Sequence, residues 1–521
     1  MKSGYKLLWF KTANDVSLEG IEYKSFPSGI HDLQEATVFL SHAANDKLLY
    51  GLSCFKQFAI DQSNPDDRDN LRMYSVGILC EPKQSDWKPN EFINNGWEYI
   101  EELKSVLNAI EADTIRKRTE GLDVDIDMKK IETALQEVGS RNSTLRIPGD
   151  EPNKGRHLLL GLPQLFKTLG PLVFSIYKQS LLRKNILIFN ELHSNSEELK
   201  SSSRDNYSTL SSFSYLLSIL SVVPKSAKLP NPKLHSQQPL YNIGLNELSS
   251  NLLEKYKNSE NGYIAVTSDE ILKDHPIYDV GVEIGDTVKA FARDKTAIKA
   301  TIRDYHKFQV LYSDFITENF DFTNNSNVST DDLNSVSSRT ETEEGSVHSF
   351  SPRATAAAAA AAAKFCTSIS HQINNEPLWW RQDSVEPVSW TESIWSAFSW
   401  FASAGQQLNI EEDSPDLQLN KQTDLLDLLN VVGYFHQLTS KWLNYIDEAI
   451  EEEYHNKFDS SEDGQLLNKV ELRLSYQDMI DMELDPYSQQ DAQFLKEFVM
   501  LYYQDRVESV EVGYNLSNIC C

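Results

Sequence analysis

Residues 162–190 read LPQLFKTLGPLVFSIYKQSLLRKNILIFN, and the change of period inside this stretch decides the fold. Leu162, Leu165, Phe166, Leu169, Val173 and Ile176 recur at helical spacing. Pro171 interrupts them with a kink or break, because an interior proline removes a donor and collides with the preceding turn. NILIFN (185–190) then has the short, β-branched apolar character of a buried strand. The flanking sequence repeats this alternation. FSYLLSILSVV (213–223) reads as an apolar helix stopped by Pro224, and QPLYNIGL (238–245), GYIAVTS (262–268) and IYDVGVEI (277–284) read as further strands. Strands alternating with helices indicate an α/β layer.

Upstream the rhythm is different. KLLWF (6–10), ATVFL (36–40), LLYGLSCF (48–55) and MYSVGILC (73–80) are strand-like runs separated by Gly, Pro, Asn and Asp. In WEYIEELKSVLNAIE (97–111), Trp97, Ile100, Leu103, Leu107 and Ile110 form a helical stripe able to cover that sheet. Residues 1–112 are therefore expected to form one module, and 153–318 a central α/β module. The charged stretch 113–152 suits a linker with at most one exposed helix.

Residues 319–375 differ in kind. STDDLNSVSSRTETEEGSVHSFSPR (329–353) is acidic and Ser-rich, with too little apolar surface to offset chain entropy, so a disordered insert is expected. The eight alanines 356–363 are helix-prone but too short to hold a helix alone. Thr340 and Ser351 in this insert have the surroundings of phosphorylation sites. From 376 to 516 the pattern is mainly helical, most plainly in LLDLLNVVGYFHQLTSKWLNYIDEAIEEE (425–453) and DAQFLKEFVMLYYQ (491–504).

The 521 residues carry a net charge of -28, which excludes nucleic acid as a partner, since phosphate backbones are bound through Lys and Arg clusters. No apolar run reaches the ~18 residues expected of a membrane-spanning helix. The opening MKSGYKLLWFKTANDV has only a short apolar stretch, unlike the core of a signal peptide. Five scattered cysteines suit a reducing cytosol.

Reaction signatures are missing from the sequence: no phosphate-binding glycine loop, HExxH, CxxC pair or nucleophile elbow. No catalytic residue, metal ligand or cofactor site is therefore assigned. His31 and His157 have no second ligand at chelating spacing and read as structural or surface residues. Thr267 stands three residues before Glu270, the spacing of a capping box at a strand-to-helix turn, a better reading than catalysis by Asp269 or Glu270. Arg183 and Lys184 sit where a helix should end, suiting its dipole at least as well as a partner contact.

Several stretches, taken in order, resemble the DENN-domain family, and within it the small LCHN-like branch. They are GIEYKSFPSGIH (20–31), MYSVGILC (73–80), LGPLVFSIYKQSLLRKNILIFN (169–190), YLLSILSVVP (215–224), LYNIGLNEL (240–248), GYIAVTSDEIL (262–272) and IYDVGVEI (277–284). FSWFASAG (398–405) is similar to a Trp-Ala-Ser-Ala-Gly stretch of that branch. The resemblance spans 5–285 and 376–405. It implies an α/β fold with a longin-like antiparallel sheet module, a central α/β DENN module and a mainly helical downstream part. It also implies a guanine-nucleotide exchange factor or regulator of a Rab-type GTPase in membrane traffic. A non-catalytic adaptor of the same fold on an organelle or lipid-droplet surface is the alternative. Exchange breaks no covalent bond, which agrees with the missing reaction signatures.

Two further segments bear on membranes. In SWTESIWSAFSWFASAG (389–405), Trp390, Ile394, Trp395, Phe398 and Phe401 share one helical face opposite serines. Such a helix docks on a folded core or enters lipid packing defects. The chain ends in Cys520 and Cys521 (517–521, NICC preceded by Ser517). A CaaX site would need cysteine at position 518, which holds Asn518. S-palmitoylation of both cysteines is the chemistry that fits, since one acyl chain holds a membrane only marginally. The other reading is an unmodified, frayed tail. The expected location is cytoplasmic, with peripheral attachment to an organelle membrane or lipid droplet.

Overall fold

The computed structural model describes residues 5–312, 377–387, 425–460 and 469–513, with breaks at 13–15, 28–32, 45–46, 62–69, 81–95, 97–98, 123–125, 141–157, 191–202, 226, 228, 230–231, 250–252 and 254–258. Residues 319–375, the tryptophan-rich face (Trp390, Ile394, Trp395, Phe398, Phe401), Thr340, Ser351, Cys520 and Cys521 lie outside the described residues.

The chain begins with a short helix α1 (Ile21–Lys24) and an antiparallel meander β1 (Glu35–Ala44), β2 (Lys47–Ala59) and β3 (Leu71–Cys80). Glu35 pairs with Lys56, and Tyr50 with Cys80, so ten residues of each neighbour stay in register. Alternation along the strands gives the meander two apolar faces. On one, α2 (Ile100–Thr119) buries Leu103, Val106, Leu107 and Ile110. On the other, Tyr5, Phe26 and Met73 close over Leu33, Ala36, Val38 and Phe55.

Helix α2 starts at Ile100 and runs on through the charged stretch to Thr119. Asp113 holds Arg116 at 2.8 Å and Lys117 at 2.9 Å, the i,i+3 and i,i+4 neighbours that support a helix surface. One further helix, α3 (Met128–Ser140), packs Ile131, Ala134 and Leu135 partly buried against the core, so it is not fully exposed as expected.

Next come α4 (Leu162–Leu169) and α5 (Leu172–Leu181), whose axes turn by 115° at the Gly170–Pro171 step. The break expected at Pro171 is thus a sharp corner. Gly170 sits at φ +54°, and a Cβ there would lie 2.5 Å from the Trp380 indole nitrogen. Then follow β4 (Ile186–Asn190), α6 (Ser203–Leu220), β5 (Gln238–Asn242), α7 (Asn246–Ser249), β6 (Tyr263–Thr267), β7 (Val280–Ile284), β8 (Val288–Ala292), β9 (Ala297–Ile298) and α8 (Ile302–Leu311).

The upstream and central modules share one nine-stranded mixed sheet of order β3-β2-β1-β5-β6-β4-β7-β8-β9. The join is narrow. β1 meets β5 through the single pair Leu40–Tyr241. A bulge between Pro239 and Tyr241 and the left-handed backbone of Tyr241 (φ +54°) bend β5 there. Phe39 and Tyr50 pack on the Tyr241 ring at 5.7 and 6.1 Å.

The rest of the described chain is α9 (Leu378–Gln382), α10 (Leu425–Ser460), β10 (Val470–Leu474), α11 (Tyr476–Asp481), α12 (Gln489–Tyr503) and β11 (Val507–Val512). Along α10, Leu428, Val431, Phe435, Leu438, Trp442, Ile446 and Ile450 are buried at helical spacing. Phe435 enters the central core, 4.8 Å from the Tyr177 ring and 5.1 Å from Phe174. The mainly helical region also contains a parallel pair, β10 with β11, which sequence reading missed. VELRL alternates apolar residues with charge, burying one face of β10 and leaving the other wet.

Candidate interaction surface

Strands β5, β6, β4 and β7 are parallel, and their connections diverge. From β4 the chain passes through α6 to β5; from β6 it passes through the 3-10 turn Glu270–Asp274 to β7. In the sheet order β5-β6-β4-β7 the first connection passes β6 and the second passes β4 in the opposite direction.

The carboxyl ends of β5 and β6 are tied together by polar groups. Asp269, just after β6, accepts the Leu245 N–H at 3.0 Å, and Glu247 accepts the Gly244 N–H at 2.7 Å. Lys24 of α1 reaches across from the upstream module to Glu247 at 3.1 Å and donates to the Ser41 carbonyl at 2.7 Å. Burial pushes the Asp269 carboxyl above its ordinary value, with Glu247 reinforcing the shift and the Leu245 N–H opposing it. Burial likewise depresses the His42 ring, which bonds the Ser17 carbonyl at 2.7 Å. Of these contacts, Lys24–Glu247 spans the two modules.

Tyr5 packs on Tyr23 at 5.5 Å and on Phe26 at 4.9 Å, and the Asp269 charge helps to raise its phenol after burial. Leu7, Leu8, Phe10, Tyr23, Leu245 and Ile271 supply six of the twelve exposed large apolar side chains among the described residues, with Ile271 60% exposed. Tyr23, Leu245 and Ile271 each stand within two residues of the bonded Lys24, Glu247 and Asp269, which makes these exposed apolar side chains the candidate interaction surface.

The remaining sequence-level candidates are placed as follows. Thr267 and Glu270 do not form a capping box. Thr267 Oγ1 instead accepts the Asp269 N–H at 3.1 Å, and Asp269 is the N-cap of a short 3-10 turn. This is a side-chain turn at a strand end, which competes with a helix start. Arg183 is buried at φ +56° and donates to the carbonyls of Ser180, Ser221 and Leu234. It serves the ends of α5 and α6, as the helix-end reading requires, and faces no partner. Lys184 pairs with Glu497 of α12 at 2.8 Å. Among the described residues no cluster of His, Cys, Asp and Glu is arranged to hold a metal ion.

A buried charge cluster escaped sequence reading. Lys178 of α5 contacts Asp304 of α8 at 2.6 Å and Asp491 of α12 at 2.5 Å, and Lys307 contacts Asp304 at 3.2 Å. Burial pulls the Lys178 ammonium toward neutrality, but the two carboxylates outweigh it and hold its pKa above the ordinary lysine value. One signal was available: a lone lysine inside the apolar run LVFSIYKQSL.

The described chain is an α/β scaffold, a mixed sheet covered by helices, with exposed apolar side chains beside the polar joint of β5 and β6. A family model described as DENN domain-containing protein 11 matches residues 1–293, and one described as a domain of unknown function (DUF4484) matches 385–520. The chain belongs to the DENN-domain family. It is 23% identical to the uncharacterized protein ANR2 of Saccharomyces cerevisiae, an alignment covering 100% of this chain and 92% of that one. DENN domain-containing protein 11 of Xenopus laevis is 26% identical over 36% of this chain and 40% of its own. The uncharacterized protein C119.16c of Schizosaccharomyces pombe is 27% identical over 50% of this chain and 55% of its own. No solved structure matches.

Proposed function

We propose that this chain regulates a Rab-type GTPase in membrane traffic by promoting nucleotide exchange, and that the GTPase docks on the apolar rim at Tyr23, Leu245 and Ile271. The carrying observation is the DENN match over 1–293, which contains every residue of that rim and both halves of its polar joint. An exchange factor binds the nucleotide-free GTPase better than the loaded one, and nucleotide affinity falls by the same coupling factor. Rigid tethering of the two modules through Lys24–Glu247 would hold such a surface in one shape. The test is release of labelled GDP from a panel of purified Rab proteins. Stimulation of one or two members, lost in Ile271→Asp with unchanged thermal stability, supports this reading. Binding without stimulation favours an adaptor, and neither binding nor stimulation across the panel overturns both.

Peripheral membrane attachment through palmitoylated Cys520 and Cys521 belongs to the same proposal. Both residues stand at the end of the chain behind an acidic approach that offers no basic patch as a second membrane signal. Fractionation of the Cys520→Ser, Cys521→Ser double variant with the membranes, as wild type, would rule it out.

A further inference from the structure

Residues 5–12 read YKLLWFKT and form neither helix nor strand. Tyr5 anchors them: its ring packs on Tyr23 at 5.5 Å and on Phe26 at 4.9 Å, against the small core of Leu33, Ala36, Val38 and Phe55. The large apolar side chains that follow are not used in this way. Leu7, Leu8 and Phe10 are 39%, 52% and 59% exposed, and Trp9 is half-buried. None of the four belongs to a hydrophobic core cluster, and neither Trp9 nor Phe10 has a ring partner among the described residues. A single exposed leucine is ordinary, but four large apolar groups in succession on one short segment call for something to cover them.

Charge narrows what that is. Lys6 and Lys11 stand one at each end of the run, are exposed, and make no ion pair among the described residues. They are the only charged residues in 5–12, in a chain whose 77 acidic residues outnumber its 49 basic ones. Acidic groups on this side of the module are Glu19 and Glu22, before and within α1, and Asp269, whose charge reaches Tyr5 and which already accepts the Leu245 N–H. Charges beyond about 8 Å are largely screened at physiological ionic strength, so the lysines beside the run count for more than the distant surplus of carboxylates.

A protein partner fits this stretch poorly. The buried centre of a protein interface is depleted of lysine, and a specific interface takes roughly 20–30 residues a side. A bilayer surface fits it well. Leucine and phenylalanine enter the boundary between headgroups and acyl chains, and tryptophan favours that depth. Lysine stems lie along apolar surface while their ammonium groups reach outward to phosphates.

We propose that Leu7, Leu8, Trp9 and Phe10 dip into a bilayer surface containing anionic lipid, with Lys6 and Lys11 on its phosphates, so that the upstream module carries a membrane contact of its own. Tyr5, held by Tyr23 and Phe26, fixes the point at which the run leaves the fold. The contact is separate from the terminal cysteines and from the Tyr23, Leu245 and Ile271 surface assigned to the GTPase.

The test is sedimentation of the full chain with phosphatidylcholine vesicles, with and without about one-fifth phosphatidylserine. Protein made in bacteria is unacylated, so the result depends neither on Cys520 and Cys521 nor on any GTPase. Wild type should bind the mixed vesicles more tightly than the neutral ones. Leu7→Ser, Leu8→Ser and Phe10→Ser combined should weaken binding at least tenfold with an unchanged melting curve. Lys6→Gln with Lys11→Gln should cost about fivefold per lysine on the anionic vesicles and far less on the neutral ones. Brominated lipid should quench the emission of wild type more than that of Trp9→Phe, which reports the depth of this one ring. Failure of wild type to sediment, or binding and quenching that none of these changes alters, overturns the proposal. So does a triple variant that binds vesicles as wild type does but no longer stimulates a GTPase, since the run would then be a protein-docking surface.

Discussion

Lys178 Nζ lies 2.5 Å from Asp491 Oδ1, joining α5 of the central module to the last helix of the described chain across 313 residues. Both side chains are at most 5% exposed. Removing one partner of a buried ion pair leaves the other charge unpaired in a poorly polarisable site. Lys178→Met abandons Asp491 and strips Asp304 of its closer cation, and should destabilise the protein by about 3–5 kcal/mol in urea unfolding. Asp491→Asn should cost clearly less, because Lys178 keeps Asp304. Equal losses for the two variants would contradict this division of roles.

The corner between α4 and α5 makes a second prediction. Gly170→Ala places a side chain at φ +54°, ψ −144°, a region that essentially only glycine occupies and that costs other residues roughly 1–3 kcal/mol, and drives its Cβ into the Trp380 indole at 2.5 Å. Stability should fall by at least that amount. Hydrogen exchange should locate the loss in the 377–387 segment and in the α4–α5 corner, and leave β1–β2 protection unchanged.

Cys54 offers a chemical check on the upstream module. Its side chain is 1% exposed beneath α2, where the thiol lies 3.7 Å from the Ile100 carbonyl. Burial pushes its pKa up to about 11, so almost no thiolate exists at neutral pH. Iodoacetamide at pH 8 should leave Cys54 unmodified in the native protein and label it readily in denaturant. Native labelling at the rate of a free thiol would mean that α2 does not cover β2 as described.

Period and punctuation made much of this architecture legible. The switch from helix to strand between Ile176 and Asn185, the break at Pro171 and the stripe Leu103–Leu107–Ile110 all state burial directly in residue type. The merger of two modules into one sheet was not legible, because it rests on a single pair, Leu40–Tyr241, and on a bulge that no local pattern announces. Neither was the Lys24–Glu247 joint, since a surface-type lysine and glutamate 223 positions apart look like solvated charges until the fold buries them. Lys178 lies between these cases. Its place in an apolar helix signals a buried charge, but not that its partners are Asp304 and Asp491.

The last prediction concerns the dependence of the central module on the C-terminal region. Tyr177 OH donates to the Phe435 carbonyl at 2.9 Å, and Tyr502 OH to the Leu181 carbonyl at 2.9 Å. Phe166 and Phe174 also pack on Phe435, and the three rings that the central module supplies, Phe166, Phe174 and Tyr177, are fully buried. Without α10 and α12 these aromatics would face water, and each large side chain contributes about 1.5–3 kcal/mol when buried. Lys178 would keep only one carboxylate. Together these losses rival the ~5–15 kcal/mol of net stability that a typical protein has. Residues 1–312 expressed alone should therefore aggregate or behave as a partly folded species that binds ANS. Co-expression with residues 377–521 should restore a soluble complex that co-purifies and melts cooperatively. A Lys178→Met change in the larger piece should weaken that association. If 1–312 alone is soluble and melts cooperatively within a few degrees of the full chain, the C-terminal region is an appendage and not part of the core.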